Sequence, residues 1–565
     1  MRTALVLLAA VVVVALPFLF ERPPSDGTWE PGDPVLVVIS PHNEAIRYEF
    51  ARGFNEWRMT QGKSPVKVDW RVVGGTSEIS RYLNAEMQAS FKAWWEREGR
   101  EWPRGGSDVV THRSFDPEGA DPALVAVREA LRAGDDSKDF GTGIDLFFGG
   151  GSYDHGKAAR EGLTVAPWSE GVPERVVRSE KGHVLIPEGR SGEEWRTDTF
   201  FGTALSTFGI VSNLDRLEDL GVAVPPSSWE ALADPVYRGQ LGVADPTKSG
   251  SISKAFEMMV HRKIIDAVRA AGYVREDVTR FEEDPESAPA DYKAAIASGW
   301  VDGLNMVRRI GANARYFTDS APKVPIDVST GNAAVGLAID FFGRYQAETS
   351  RAPDGTQRMV YRTPEGGSSV SADPISLLRG APHREVAVEF IEYVLSASGQ
   401  KLWNYRPGTP GGPEKFALRR LPIRRDFYPS EVPEFQEGYE RHRPHTSDPL
   451  GDPTVNPYAL AETFEYRSRW TGRHFGIHRL LIRAMCLDSG EELRAAWNAI
   501  QAAGGERAVP EAMAEFEKLP PGLNWTSALG PEYGTDRQME FMREWVIFFR
   551  RQYRLAKQLA EASDA

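Results

Sequence analysis

The sequence predicts an α/β protein of more than one domain, carrying an extra and mostly helical C-terminal region. Three observations lead there. Short β-branched apolar runs alternate with amphipathic helical patterns from residue 35 onward, the sign of parallel sheets wrapped by helices. Several of those runs end in glycine or small polar corners. After about residue 430 the alternation stops, and the remainder is helical and aromatic. At 565 residues the chain is too long for one core, so two to four domains are expected.

The elements follow in order. Residues 4–20 form an unbroken apolar run after Arg2, with no cysteine following for lipid attachment. This predicts an export segment, either cleaved or kept as an anchor, with the rest of the chain periplasmic or otherwise outside the cytoplasm. "ERPPSDGTWEPGDP" is a Pro- and Gly-rich linker, so residues 1–34 stand apart. "PVLVVIS" reads as a buried strand. "PHNEAIRYEFARGFNEWRMTQG" is a helix whose Ile46, Phe50, Phe54 and Trp57 share one face. "VKVDWRVVGG" is the next strand, and "TSEISRYLNAEMQASFKAWW" the next helix, with Thr76 expected as N-cap. Residues 97–140 interrupt the pattern as a charged insertion with one short helix. "GIDLFFGGGSYDHGKAAREG" resumes it as strand, glycine turn and helix. "TFGIVSNLDRLEDLG", "GQLGVADPTKSGSISKAFEMMVH" and the buried run in "NAAVGLAIDFFGRYQAE" continue it, and "APHREVAVEFIEYVLSASGQKLW" is a strongly amphipathic helix.

Composition excludes some functions. A net charge of −13 argues against a nucleic-acid surface, which needs clustered Lys and Arg. Cys486, the one cysteine, permits no intrachain disulfide and reads as a buried, inert thiol on a helix. The sequence has no G-x-S-x-G, no H-E-x-x-H and no paired Cys/His spacing, so an exported hydrolase is disfavoured and no catalytic residue is assigned.

The corners carry the binding chemistry. Residues 242–249 read G-V-A-D-P-T-K-S. Thr247 replaces the second glycine of a nucleotide P-loop and Pro246 removes a backbone N–H, so the phosphate nest is lost. Ser249, Gly250 and Ser251 still stand at a helix start, where free N–H groups attract an anion. Plain N-capping explains the same residues. A second such corner favours the anion reading: Gly149, Gly150, Gly151 and Ser152 follow a strand, where open α/β sheets bind ligands. "SPHNEA", with His42, Asn43 and Glu44, is a third.

In order, "SPHNEAIRYEFARGFNEW", "RYLNAE", "DLFFGGG", "LSTFGIVSN", "SSWEALADPVYRGQLGVADPTKSGS", "NAAVGLAIDF" and "GAPHREVAVEFIEYVLSASGQKLW" resemble the solute-binding proteins of ABC importers, in the subgroup that includes ferric-iron-binding proteins. The resemblance implies a two-lobed periplasmic-binding-protein type 2 architecture with ligand trapped between lobes. Lobe one would comprise residues 35–200 and 350–430, lobe two 205–345, and 431–565 a helical extension. "ALSTFGIVSN", which contains Ser206, and "AVGLAIDFF" would cross between lobes or line the cleft. The function implied is capture of a small anionic or metal–anion ligand and delivery to an inner-membrane ABC permease, by a monomer. The cofactor implied is Fe(III) with a bound anion. His42 matches the family's histidine ligand and Glu86 its glutamate. Where the family has adjacent tyrosines, this chain has Phe341 and Phe342, which offer no phenolate; Asp340 is the remaining oxygen donor there. An exported ligand sensor or scaffold on the same fold is the alternative.

Overall fold

The computed structural model describes residues 32–112, 115–134, 139–534 and 537–563. The apolar run at 4–20 lies outside them. Among the described residues no helix is long and apolar enough to cross a membrane.

Two mixed sheets organise the chain. In the first, β1 (Val35–Ile39) pairs in parallel with β2 (Lys67–Arg71) and β3 (Leu146–Phe148). Antiparallel β13 (Ser371–Leu378), β7 (Phe201–Ser206) and β14 (Leu421–Pro422) extend it, giving the order β14-β7-β13-β3-β1-β2, and the short β4 (Thr164–Val165) pairs with β13. The second sheet has the order β10-β9-β11-β8-β12, built from β8 (Phe208–Asn213), β9 (Leu241–Ala244), β10 (Ala314–Thr318), β11 (Val335–Ile339) and β12 (Met359–Arg362). A small hairpin, β5 (Gly189–Arg190) with β6 (Glu193–Glu194), stands off the first sheet.

β7 and β8 are separated by Thr207 alone, yet lie in different sheets. Residues 204–213 are therefore a crossing segment, as expected. The second crossing is 363–370, between β12 and β13. "AVGLAIDFF" does not cross; it ends at the cleft. Residues 359–362 belong to the second sheet, not to the first as the boundary at 350 implied. The crossings run side by side: Thr207 Oγ1 lies 2.9 Å from Thr363 Oγ1, and Phe208 N donates to Ser368 Oγ at 2.9 Å.

The helices flank these sheets. α1 (Glu44–Thr60) buries Ile46, Phe50 and Phe54, the face its spacing predicts. α2 (Thr76–Arg97) starts one residue earlier than expected: Gly75 is its N-cap and Thr76 its first residue. α3 (Ser152–Glu161) follows β3, α4 (Gly250–Ala270) follows β9, and α5 (Ala290–Asn313) lies against α4. α6 (Asp340–Thr349) follows β11, and α7 (Arg384–Leu395) and α8 (Ala397–Asn404) cover the first sheet. The 97–140 insertion holds two short helices, Gly106–Val110 and Pro122–Ala133, whose Val110, Val127 and Leu131 pack under that sheet.

The C-terminal region is not a separate unit. Phe435, Leu450, Tyr458 and Leu460 join the core of lobe one. From Phe464 onward, Tyr466, Trp470, Trp497, Phe516 and Trp545 join the core of lobe two, with Trp525 against it. The chain thus passes between lobes a third time, near 461–464. Any four of the five buried aromatics joining lobe two contribute roughly 6–12 kcal/mol by area, comparable to the net stability of a whole domain. α9 (Phe475–Ile482), α10 (Gly490–Ala502), α11 (Pro510–Phe516) and α12 (Gln538–Ser563) are therefore integral to lobe two. Cys486 is fully buried there, as expected, and burial pushes its thiol up to about 12.

Candidate functional site

The buried floor where the two sheets meet lies beside the crossings, and a bulge shapes it. Pro374 interrupts the β13–β7 ladder, and the register slips between Asp373 and Pro374. Proline lacks the N–H a central strand needs, so it sits where the ladder bulges and a side chain is re-aimed. Asp373 is that side chain, 4% exposed. Its Oδ2 lies 3.2 Å from His42 Nε2 and is in close contact with Arg420 Nη1. Arg420 follows Arg419, which takes a positive φ of 54°. Outside glycine that conformation is strained, and it persists where the surroundings demand it. Here Arg419 turns to buried Asp448 at 2.6 Å and Arg420 turns to Asp373.

Arg420 joins the lobes. Its guanidinium sits 4.2 Å from the ring centroid of Phe341, on α6 of lobe two, and 5.4 Å from that of Trp403, on α8. The Phe341 ring is thus a cation–π partner. Ser206 Oγ is 3.5 Å from Arg420 Nη2. Asp340 is fully buried beside Thr207 and binds Arg344 Nη2 at 3.1 Å.

The titrations follow from this packing. Burial lowers the pKa of His42, outweighing the attraction of Asp373, so the imidazole is neutral. Burial alone would raise Asp373, but Arg420 and His42 hold it below the ordinary carboxylate range. Burial raises Asp340 despite Arg344. Four buried polar atoms of this one cluster lack hydrogen-bond partners: His42 Nδ1, Asp373 Oδ1, Arg420 Nε and Trp403 Nε1. Such orphans are rare in folded proteins, and each carries a desolvation cost until a partner arrives.

Gly149 completes the floor. At φ 101° it adopts a backbone that side chains avoid, and a Cβ there would stand 2.6 Å from His42 Nε2. His155, stacked on Phe147 at 4.0 Å, donates from Nε2 to Gly149 O and pairs through Nδ1 with Ser376 Oγ, and burial lowers it to about 4.

The other predicted corners gather nearer the rim. A Cβ on Gly150 would meet Thr76 Cγ2 at 2.8 Å, and one on Gly250 would lie 3.8 Å from Thr76 Oγ1. The starts of α2, α3 and α4 therefore converge around Thr76. Asp154, in the first turn of α3, is half-buried there. Burial raises its pKa against the pull of Arg479 and a Thr76 hydrogen bond, so a carboxyl group of the chain itself sits among these helix starts. Ser249 Oγ accepts from Ile252 N at 3.3 Å and lies 3.2 Å from Ser251 Oγ; Ser152 Oγ donates to Glu194 O at 3.0 Å. Gly151 is the N-cap of α3.

Two predicted residues stand elsewhere. Asn43 is exposed and caps α1, accepting from Ile46 N at 3.1 Å. Glu86 is exposed in the middle of α2. The helix turns it outward, whereas His42 and Asp340 are buried at the floor, so His42, Glu86 and Asp340 do not form a metal site. Among the described residues no group of three or more His, Cys, Asp or Glu is placed to hold a metal ion. The side chains present do not fit ferric iron.

Sequence reasoning missed Asp373, Arg420 and Trp403. An aspartate before proline inside the apolar strand "SADPISLL" was a legible sign of a bulge beside a site. Arg420 had no comparable signal. A recess of about 600 Å³ lies apart, on the β5–β6 hairpin, lined by Glu188, Arg190, Glu194 and Arg196. It is wide open to solvent and carries one buried unpaired atom, Arg190 Nε, against four at the floor, which favours the floor as the candidate.

Residues 187–427 match the family described as bacterial extracellular solute-binding proteins. They include every floor residue except His42 and Gly149. Among solved structures, the chain is similar to apo ferric ion-binding protein A of Pasteurella haemolytica, at 12% identity, 80% of this chain, 97% of that one and a TM-score of 0.44. It is similar also to the periplasmic binding protein AfuA of Actinobacillus pleuropneumoniae with fructose-6-phosphate bound (16%, 66%, 82%, 0.40). A third is the spermidine/putrescine substrate-binding protein PotD of Streptococcus pneumoniae (13%, 79%, 100%, 0.40). An uncharacterized protein of Haemophilus influenzae is 22% identical over 263 residues, 46% of this chain and 60% of that protein. The chain thus spans about 60% of the length of the curated relative it matches.

Proposed function

We propose that this chain, whose residues 187–427 match the family described as bacterial extracellular solute-binding proteins, captures a small anionic solute between its two lobes, outside the cytoplasm, and delivers it to the permease of an ABC importer. The observation that carries this reading is the buried floor cluster, in which an arginine shared by both lobes stands among four unpaired polar atoms. Arg420 Nε and Trp403 Nε1 are donors, Asp373 Oδ1 is an acceptor, and His42 Nδ1 is either. A guest bearing an anionic oxygen and a hydroxyl satisfies both kinds. Asp373 holds Arg420 in the present state, so the guest's anion competes with that carboxylate for the guanidinium. Phe341 comes from the other lobe, so the full contact set exists only when the lobes are together. Closure is then favoured by the guest's greater affinity for the closed form.

Calorimetric titration tests this with inorganic phosphate, fructose-6-phosphate, ferric citrate and spermidine as probes. A phosphate or carboxylate probe should bind, and Arg420→Ala should weaken it by roughly 10- to 100-fold, the value of one or two charge-assisted hydrogen bonds. Binding of spermidine alone would overturn the anionic assignment and make Asp373 and Asp340 the recognising groups.

A further inference from the structure

We propose that α9 is a clasp that holds the lobes shut from the side opposite the crossings, so that exchange of the guest is governed by its release from lobe one. This rests on the reading that the cleft takes a guest. The family match ends at residue 427, so the clasp belongs to a part of the chain outside it.

α9 is anchored on lobe two. Leu481 and Ile482 are at most 1% exposed in that lobe's core. Arg479 Nε donates to Pro246 O at 2.8 Å and Nη2 to Thr247 O at 2.6 Å, satisfying carbonyls of the turn before α4. Arg483 Nη1 donates to Thr247 Oγ1 at 3.1 Å. The same helix also touches lobe one. Phe475 packs on Tyr153, at the start of α3, with ring centroids 4.8 Å apart. Arg479 Nη2 also reaches Ser77 Oγ, in the first turn of α2, at 3.2 Å. One guanidinium therefore spans both lobes.

The leverage follows from strand order. α2 begins after β2, the edge strand, which lies three places from the crossing strand β13. At about 4.8 Å per strand, Ser77 is roughly 14 Å from the pivot, so a modest rotation parts it from Arg479. The backbones themselves meet at this rim, since a Cβ on Gly75 would lie 3.7 Å from Lys248 O. Near the pivot, by contrast, the lobes are tied firmly. Lys254 of α4 bridges Glu193 at 3.0 Å and Glu257 at 3.1 Å, and Ser371 Oγ, where β13 begins, donates to Glu193. Tyr466 N donates to Ser191 O at 2.8 Å, and a Cβ on Gly192 would lie 1.8 Å from Tyr466 O, so the third crossing lies tight against the hairpin. The lobe-two face of α9 is core, while Ser77 and Tyr153 are half-buried. The weaker face is the one that parts.

The test uses the full chain with no guest added, so its outcome does not depend on what Arg420 binds. Fluorophores on Glu86→Cys and Ile326→Cys, both exposed and on different lobes, report opening by single-molecule energy transfer. The double variant Ser77→Ala/Tyr153→Ala trims only the half-buried side, and unchanged circular dichroism confirms its fold. Losing a hydrogen bond and a ring contact, it should raise the open population at least about tenfold, and Arg479→Ala should do likewise. Identical distributions in wild type and both variants would overturn the clasp. So would a rise in Arg479→Ala alone, because Arg479 also braces the lobe-two turn.

Discussion

Arg420→Met isolates the electrostatics of the floor. Methionine keeps much of the aliphatic stem that packs on Phe341 and Trp403 but removes the charge. Asp373, 4% exposed, would lose its ionic partner and keep the neutral His42 ring, at 3.2 Å, only as a hydrogen-bond partner. Removing one member of a buried ion pair strands the other, at a cost of about 3–5 kcal/mol. The cost should depend on pH. Without Arg420, the strongest opponent of the burial that raises Asp373 is lost, and so is its repulsion of a protonated His42. The folded variant therefore binds a proton that the wild type does not. Its stability relative to wild type improves as pH falls, by at most ~1.4 kcal/mol per pH unit per proton. Urea unfolding at about pH 8 and about pH 5.5 measures both effects, and adding Asp373→Asn and the double variant closes a cycle. The double variant, with no stranded charge, should be more stable than Arg420→Met, with a coupling of at least ~2 kcal/mol. Additivity within ~0.5 kcal/mol, or a single variant as stable as wild type, would refute the reasoning.

Other consequences are independent. Gly149→Ala should destabilise by roughly 1–3 kcal/mol and abolish binding of any probe the wild type takes, since the new methyl meets the His42 ring; a thermal melt and calorimetry check both. Acid should weaken the fold early. His155 and His442, lowered to about 4 by burial, and His261, lowered to about 3, stay neutral when folded and protonate when unfolded below about pH 6.5. The unfolded state binds more protons there, so stability falls with pH, by ~2 kcal/mol per histidine at about pH 5. Melting scans between about pH 7 and pH 5 should show a steep drop, and a flat profile would contradict the buried neutral state. Cys486 should resist a disulfide reagent in the native protein and react only as fast as the chain unfolds, because burial holds its thiol near 12.

Local chemistry made much of the fold legible and little of the floor. The run 35–39, the 3.6-residue stripe of Ile46, Phe50 and Phe54, and the glycines after Phe148 are written in neighbouring residues, and the structure keeps them. His42, Gly149, Ser206 and Asp340 were legible because they stand at strand ends, and the fold brings them together. Asn43 stands at the same kind of corner and Glu86 was indicated by the family resemblance, but one caps its own helix and the other faces solvent. Arg420 meets Asp373 and His42 across sequence separations that no local pattern encodes. The C-terminal region showed its helices by their apolar stripes, but not which lobe those stripes cover. Its division at 461–464 depends on surfaces built hundreds of residues earlier.

The most direct test is a crystal structure of the protein grown with whichever probe calorimetry selects. The account predicts an anionic oxygen within hydrogen-bond distance of the Arg420 guanidinium and the Trp403 N–H, with Asp373 released from that arginine and Phe341 still covering it. A guest lodged in the hairpin recess at 188–198, with the Arg420–Asp373 pair intact, would contradict it.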